Sequence, residues 1–220
     1  MNFPAIESLL EPVSPDQPAG DDGRSCKDIK AGGRAVSGFP TIDGIRLRLK
    51  PVGPGVEIPW SEVRRETERL LTRGSKHLEA GLIWTLASLH LDGLAGLAAG
   101  LGLMKELLDR YWEGLHPLPD QEDPYERRQL VSELGVAASE ASGEYRVLQR
   151  LQMRPLLEGS PWSVGQVLAS INSNRWQAKD PPDPATLRKE WLTLPEAAVA
   201  HAAELLDQAK AQLGAIAEVW

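Results

Sequence analysis

Cysteine is almost missing from the sequence: Cys26 is the single thiol in 220 residues. One thiol closes no internal disulfide and builds no thiolate cage, so neither a stapled extracellular scaffold nor a cysteine-type zinc site is available. Strand signals are nearly absent as well, and only Ile42 to Val52 alternates, with Ile45, Leu47 and Leu49 set against Arg46, Arg48 and Lys50. Positive charge is in deficit, with 24 Lys and Arg against 31 Asp and Glu and a net charge of −7. A surface of that sign repels phosphate backbones, so general nucleic-acid binding is not expected. The opening Met1-Asn2-Phe3-Pro4-Ala5 lacks the basic flank and apolar core of a signal peptide. Together with the lone thiol it points to a reducing cytoplasm.

One apolar run is long. From Ala80 to Met104 the only charged side chain is Asp92, and about 20 apolar residues span a bilayer. Thr85, Ser88, His90 and Asp92 interrupt the run, and Leu91-Asp92-Gly93 supplies a helix stop and a new start. The expectation is therefore two shorter helices and no transmembrane segment. A membrane-associated adaptor is the alternative that this run keeps open.

What the sequence has in plenty is helical periodicity. Ile6, Leu9 and Leu10 draw a short opening helix, ended by Pro12, Pro15 and Pro18. Residues 21–58 follow as an irregular Gly/Pro-rich segment that forms a basic island, with Arg24, Lys27, Lys30, Arg34, Arg46, Arg48 and Lys50. From residue 59 onward helices succeed one another. The clearest seam is Leu94, Leu97, Leu101, Met104, Leu108, Tyr111 and Leu115, and Gly96 and Gly100 beside it suggest close approach of a neighbouring helix. A proline-punctuated acidic connection with Asp120, Glu122 and Asp123, a cap at Ser142, and a last helix from Pro195 to Trp220 complete the pattern. The fold class expected is all-α, a multi-helix bundle over 59–220 with a small β-hairpin in the basic segment, and the whole of 1–220 forming one domain.

The residues of catalysis do not assemble in the sequence. No Gly-x-Ser-x-Gly elbow is present, Gly96, Gly100 and Gly102 fall inside a helix instead of after a strand, and Gly74-Ser75-Lys76 lacks the upstream glycine of a phosphate loop. His77, His90, His116 and His201 never stand three to five residues apart, as ligands from one helix would. No catalytic, cofactor-binding or metal-binding residue is assigned, and the reading is that of a non-enzyme. The tryptophans stand out, seven against two Phe and three Tyr. Trp60, Trp84 and Trp112 lie beside apolar stripes and read as core anchors. Trp176, flanked by polar residues on both sides, forms with Arg175 and Trp191 the candidate partner-binding surface. The rival reading is an enzyme or anionic-ligand domain that uses the basic loop 24–50, with Arg46, Arg48 and Lys50 as the binding cations.

Three segments in order, Gly93-Leu94-Ala95-Gly96-Leu97-Ala98-Ala99-Gly100-Leu101, then Leu107 to Pro117 with Tyr111-Trp112 before His116-Pro117, then Glu122-Asp123-Pro124-Tyr125-Glu126-Arg127-Arg128, resemble the ImpA N-terminal domain family. That domain opens the TssA proteins of bacterial type VI secretion. Pro59-Trp60-Ser61-Glu62-Val63, Arg154-Pro155-Leu156 and the opening Pro12 to Gly20 are similar to the family too. Two departures stand out: the segment from Arg24 to Val56 replaces an acidic and aromatic helix, and Arg73-Gly74-Ser75-Lys76-His77-Leu78 stands where relatives carry an Arg-Ser-Lys-Asp-Leu-like run. Relatives continue into a middle region and a ring-forming C-terminal domain. The resemblance implies a non-catalytic scaffold in the cytoplasm, peripheral to the inner membrane. The partners it implies are baseplate, sheath–tube or membrane-complex proteins, and further copies of the chain.

Overall fold

The computed structural model describes residues 6–24, 30–31, 34–35, 39–50, 55–119, 124–135, 145–157 and 159–219. Cys26, the acidic run 120–123, the expected cap Ser142 and Trp220 lie outside the described residues. The described chain is helical: α1 (Ile6–Leu9), α2 (Ile42–Arg48), α3 (Trp60–Arg73), α4 (Leu78–Tyr111), α5 (Tyr125–Ser132), α6 (Val147–Gln152), α7 (Val164–Ile171), α8 (Pro184–Trp191) and α9 (Glu196–Ala217). Two two-residue strands, β1 (Lys30–Ala31) and β2 (Arg34–Ala35), pair antiparallel with Lys30 opposite Ala35.

The hairpin expected over Ile42 to Val52 is corrected, because that stretch holds a helix. Thr41 accepts the Gly44 N–H and starts α2, whose buried residues are Ile42 and Ile45. Leu49, one turn further, packs on the same core, while Leu47 is 69% exposed. The apolar residues that matter are thus 42, 45 and 49, a helical spacing, and the alternation through Leu47 was incidental.

The 34-residue α4 is apolar enough by length and composition to cross a membrane, with mean hydropathy 1.4 in its richest window. It is not one straight rod. Gly93 adopts φ 62° and ψ −136°, outside the helical region, and there the chain reverses. A Cβ on Gly100 would lie 2.6 Å from Thr85 Cα, one on Gly81 would touch Leu107 and Met104, and one on Gly96 would run into the Ser88 carbonyl. Residues 81, 85 and 88 of the first arm therefore face 104, 100 and 96 of the second, which makes an antiparallel helical hairpin. Each arm is shorter than the roughly 20 residues of a spanning helix. The expected division at Leu91-Asp92-Gly93, and the close approach at Gly96 and Gly100, are both present.

This hairpin is the centre of the molecule. Helix α3 packs along it on one side and α9 on another, α1 and α2 rest on α3, and α5 and α6 rest on α4. The main apolar cluster runs through Leu70, Leu71, Leu82, Ile83, Trp84, Leu101, Met104 and Leu108. A second, smaller cluster gathers Leu94, Leu157 and Ala202 with Leu156, Trp191 and Leu194.

Candidate functional site

Between α3 and α4 the short link 74–77 forms bridges at Ser75 and His77 and joins two remote segments. The Asp21 N–H donates to Gly74 O at 3.1 Å and the Lys76 N–H to Ala19 O at 2.6 Å. On the other edge the His116 N–H donates to Lys76 O at 2.9 Å, and the Leu78 N–H to His116 O at 2.7 Å. The opening loop, the α3–α4 turn and the end of α4 are thereby held in one ladder-like junction, next to the cis His116–Pro117 peptide.

Polar side chains converge on it. The Lys76 ammonium, fully buried, donates to Leu9 O at 2.7 Å and to Leu71 O at 2.5 Å. Burial pulls its pKa down to about 8, against the pull of Glu11. His77 caps α4: its Nδ1 accepts the Glu79 N–H at 3.1 Å, which places the ring proton on Nε2. That Nε2 is buried with no hydrogen-bond partner and faces Asp22 Oδ1 at 3.7 Å, while His116 Nδ1 lies 3.9 Å from the same oxygen. A protonated Nε2 is a donor and not a metal ligand. Among the described residues no group of three or more His, Cys, Asp or Glu is arranged to hold a metal ion. Nearby, the buried Glu79 carboxylate accepts from Arg46 and from the Tyr145 hydroxyl. Burial, with the Glu79 charge, pushes the Tyr145 phenol up. Arg127, 1% exposed, donates to Pro117 O and Trp112 O at 2.8 Å each and to Leu115 O, with its guanidinium 4.9 Å from the Trp112 ring centre.

These groups spend their hydrogen bonds on holding chain segments together. Three arginines of the basic island are spent in the same way. Arg46 pairs with Glu79 and Asp43, Arg48 with Glu66 at 2.7 Å and Glu62 at 3.3 Å, and Arg24 with Glu126 and Asp22. Arg46 and Arg48, two of the three cations named for an anionic ligand, therefore meet carboxylates of the bundle. Lys50 is exposed. A cleft of about 580 Å³ opens beside the junction, between Asp16–Gly20 and the end of α4. Asp16, Asp109 and Glu113 line it, and its Arg110 is bound to Glu7 and Glu106. Its two walls are about 90 residues apart in sequence, so no local pattern announced it.

The candidate partner surface is divided by the fold. Arg175 and Trp176 are brought together in the loop after α7, with the guanidinium 5.7 Å from the indole centre, Arg175 exposed and Trp176 half-buried. Ile171, at the end of α7, is 66% exposed. Trp191 instead packs into the second apolar cluster, with its Nε1 buried and unpartnered. The expected core anchors meet the main cluster: Trp84 is fully buried and donates to Glu68 at 3.0 Å, and Trp60 packs against the cluster half-buried and stacks on His90 at 3.9 Å. Trp112 packs against the main cluster.

A family model described as ImpA, N-terminal, type VI secretion system matches residues 10–135. Among curated proteins, the type VI secretion system component TssA1 of Pseudomonas aeruginosa is 31% identical over 168 residues, 76% of this chain and 46% of that protein. The chain thus spans about half the length of that relative. Among solved structures, the N-terminal domain of the TssA component from Burkholderia cenocepacia, which includes the conserved ImpA_N region, superposes with a TM-score of 0.72. That match covers 99% of this chain and 83% of the other at 23% identity, and it supports the fold.

Proposed function

The chain belongs to the ImpA N-terminal family of type VI secretion system proteins, and from that membership we propose that it works as a non-catalytic assembly module of the secretion machine. It acts on the cytoplasmic side of the inner membrane, as one unit over 1–220, by holding another component at the baseplate or the sheath–tube complex. The observation that carries the surface is the loop after α7, where an exposed Arg175 lies over a half-buried Trp176 beside the exposed Ile171. A flat aromatic with a cation over its face is an amphipathic anchor that loses little conformational entropy on binding. Trp191 is not part of this surface, because it packs into the second apolar cluster.

Affinity capture from the source bacterium tests the reading. Other secretion components should be retained by the chain and lost with Arg175→Ala/Trp176→Ala, which removes an anchor worth roughly 2 kcal/mol, while the thermal midpoint stays nearly constant. Unchanged capture by that double variant would remove the surface from consideration.

A further inference from the structure

We propose that two copies of this chain associate through the outer edge of α9, in antiparallel orientation. The inference is independent of the surface around Trp176 and goes beyond the assembly role.

Helix α9 carries two apolar rows at seven-residue spacing. The inner row, Ala202, Ala209 and Ile216, is buried. The row beside it, Val199, Leu206 and Leu213, remains 38%, 42% and 42% exposed. Exposed Ala203, Lys210 and Ala217 fill the steps between. The sequence 199, 203, 206, 210, 213, 217 advances in alternating fours and threes, which is the seam of a two-helix coiled coil. Single surface leucines are ordinary. A continuous seam with one charge in it has the pattern that a second helix covers.

Charge selects the occupant and its direction. In a parallel pair Lys210 would face Lys210 of the second copy, two like charges within the seam. In an antiparallel pair Val199 falls opposite Ala217 of the second copy, Ala203 opposite Leu213, and Leu206 opposite Lys210. Large residues then meet small ones, and the methylene stem of Lys210 lies along Leu206 while its ammonium extends to Asp207 of the second copy. Symmetry makes this pair twice. The helix thus complements itself, and no other chain is needed to neutralise Lys210.

Sedimentation equilibrium of the whole chain from micromolar to submillimolar concentration tests the proposal. The mass should rise from 24.0 kDa toward twice that value. Leu206→Glu should hold the chain monomeric with an unchanged thermal midpoint, because the side chain is already 42% exposed. Lys210→Glu should weaken association roughly tenfold by turning two attractive contacts into repulsive ones, and adding Asp207→Lys should recover it. A monomer at every concentration overturns the proposal, and so does a dimer indifferent to Leu206→Glu. Failure of Asp207→Lys to rescue Lys210→Glu overturns the antiparallel pairing, including the case in which α9 docks a helix of a different protein.

Discussion

Gly100→Ala should destabilise this protein although it replaces the poorer helix former with the best one. Propensity alone favours alanine by about 1 kcal/mol. At position 100, however, the new Cβ would sit 2.5 Å from Thr85 Oγ1 and 2.6 Å from Thr85 Cα. Ordinary contact begins at 3.4 Å, so the arms of α4 must part by 3.4 − 2.6 = 0.8 Å. Thr85 has no way to yield: it is fully buried, its hydroxyl is bonded to Gly81 O at 2.7 Å, and the obstacle includes backbone. A gap of that size forfeits a quarter to a half of each dispersion contact along the seam. Overpacking costs about 1–3 kcal/mol, and a backbone clash belongs at the upper end. About 3 less about 1 leaves a loss of about 2 kcal/mol, which lowers the thermal midpoint by about 4–8 °C in a chain of this size. Urea melts read at constant slope give the difference directly. Gly214→Ala in α9, where nothing lies within 4 Å, is the matched control and should gain up to about 1 kcal/mol. A Gly100→Ala protein as stable as the parent would refute the hairpin reading of α4.

Leu101→Asp places an unpaired carboxylate in the fully buried seam and should abolish the cooperative thermal transition, since several kcal/mol approaches the whole stability of a domain; a retained sharp melt would contradict it. Arg127→Ala strips the donors from Pro117 O, Trp112 O and Leu115 O and should cost about 2–4 kcal/mol, with Arg127→Lys failing to restore it because an ammonium cannot fork to three carbonyls; rescue by lysine in denaturant titrations would show that charge alone matters there. Burial, reinforced by Arg150 and Arg154, holds His90 at about 4, and burial, with the charges of His116, Arg24, Arg46 and Arg127, holds His77 well below its ordinary 6.5. Unfolding lets both rings take up protons near 6.5, so stability is complete above that pH and falls as the pH drops toward 4. His90→Gln should shrink that fall, and a midpoint that does not change between pH 7 and 5 would exclude the mechanism.

The family and the helical class were legible in the sequence because both are written in local order. The three-and-four spacing from Leu94 to Leu115, the stop at Leu91-Asp92-Gly93 and the small residues at 96 and 100 prescribe two helices that lie close, and the fold contains them. The basic segment was misjudged where two periodicities overlapped: Ile45, Leu47 and Leu49 alternate like a strand, yet burial of Ile42 and Ile45 against α3 selected the helix.

What the sequence determined by itself is whatever depends on neighbours within a turn or two: the strongly periodic helices, the break at Gly93, the deficit of cations and the absence of a local catalytic motif. Only the tertiary structure decided which of those residues were already spoken for. Arg46 meets Glu79, Arg48 meets Glu66 and Arg24 meets Glu126 across gaps of 33, 18 and 102 residues, so three cations of a segment that reads as a basic ligand site are paired with the bundle. Trp191 and Trp176 read alike as aromatic anchors, but one packs on Leu94, Leu157 and Ala202 from three other segments while the other keeps a face toward solvent. Burial and ion pairing are sums over contacts remote along the chain, and no window of sequence contains both partners.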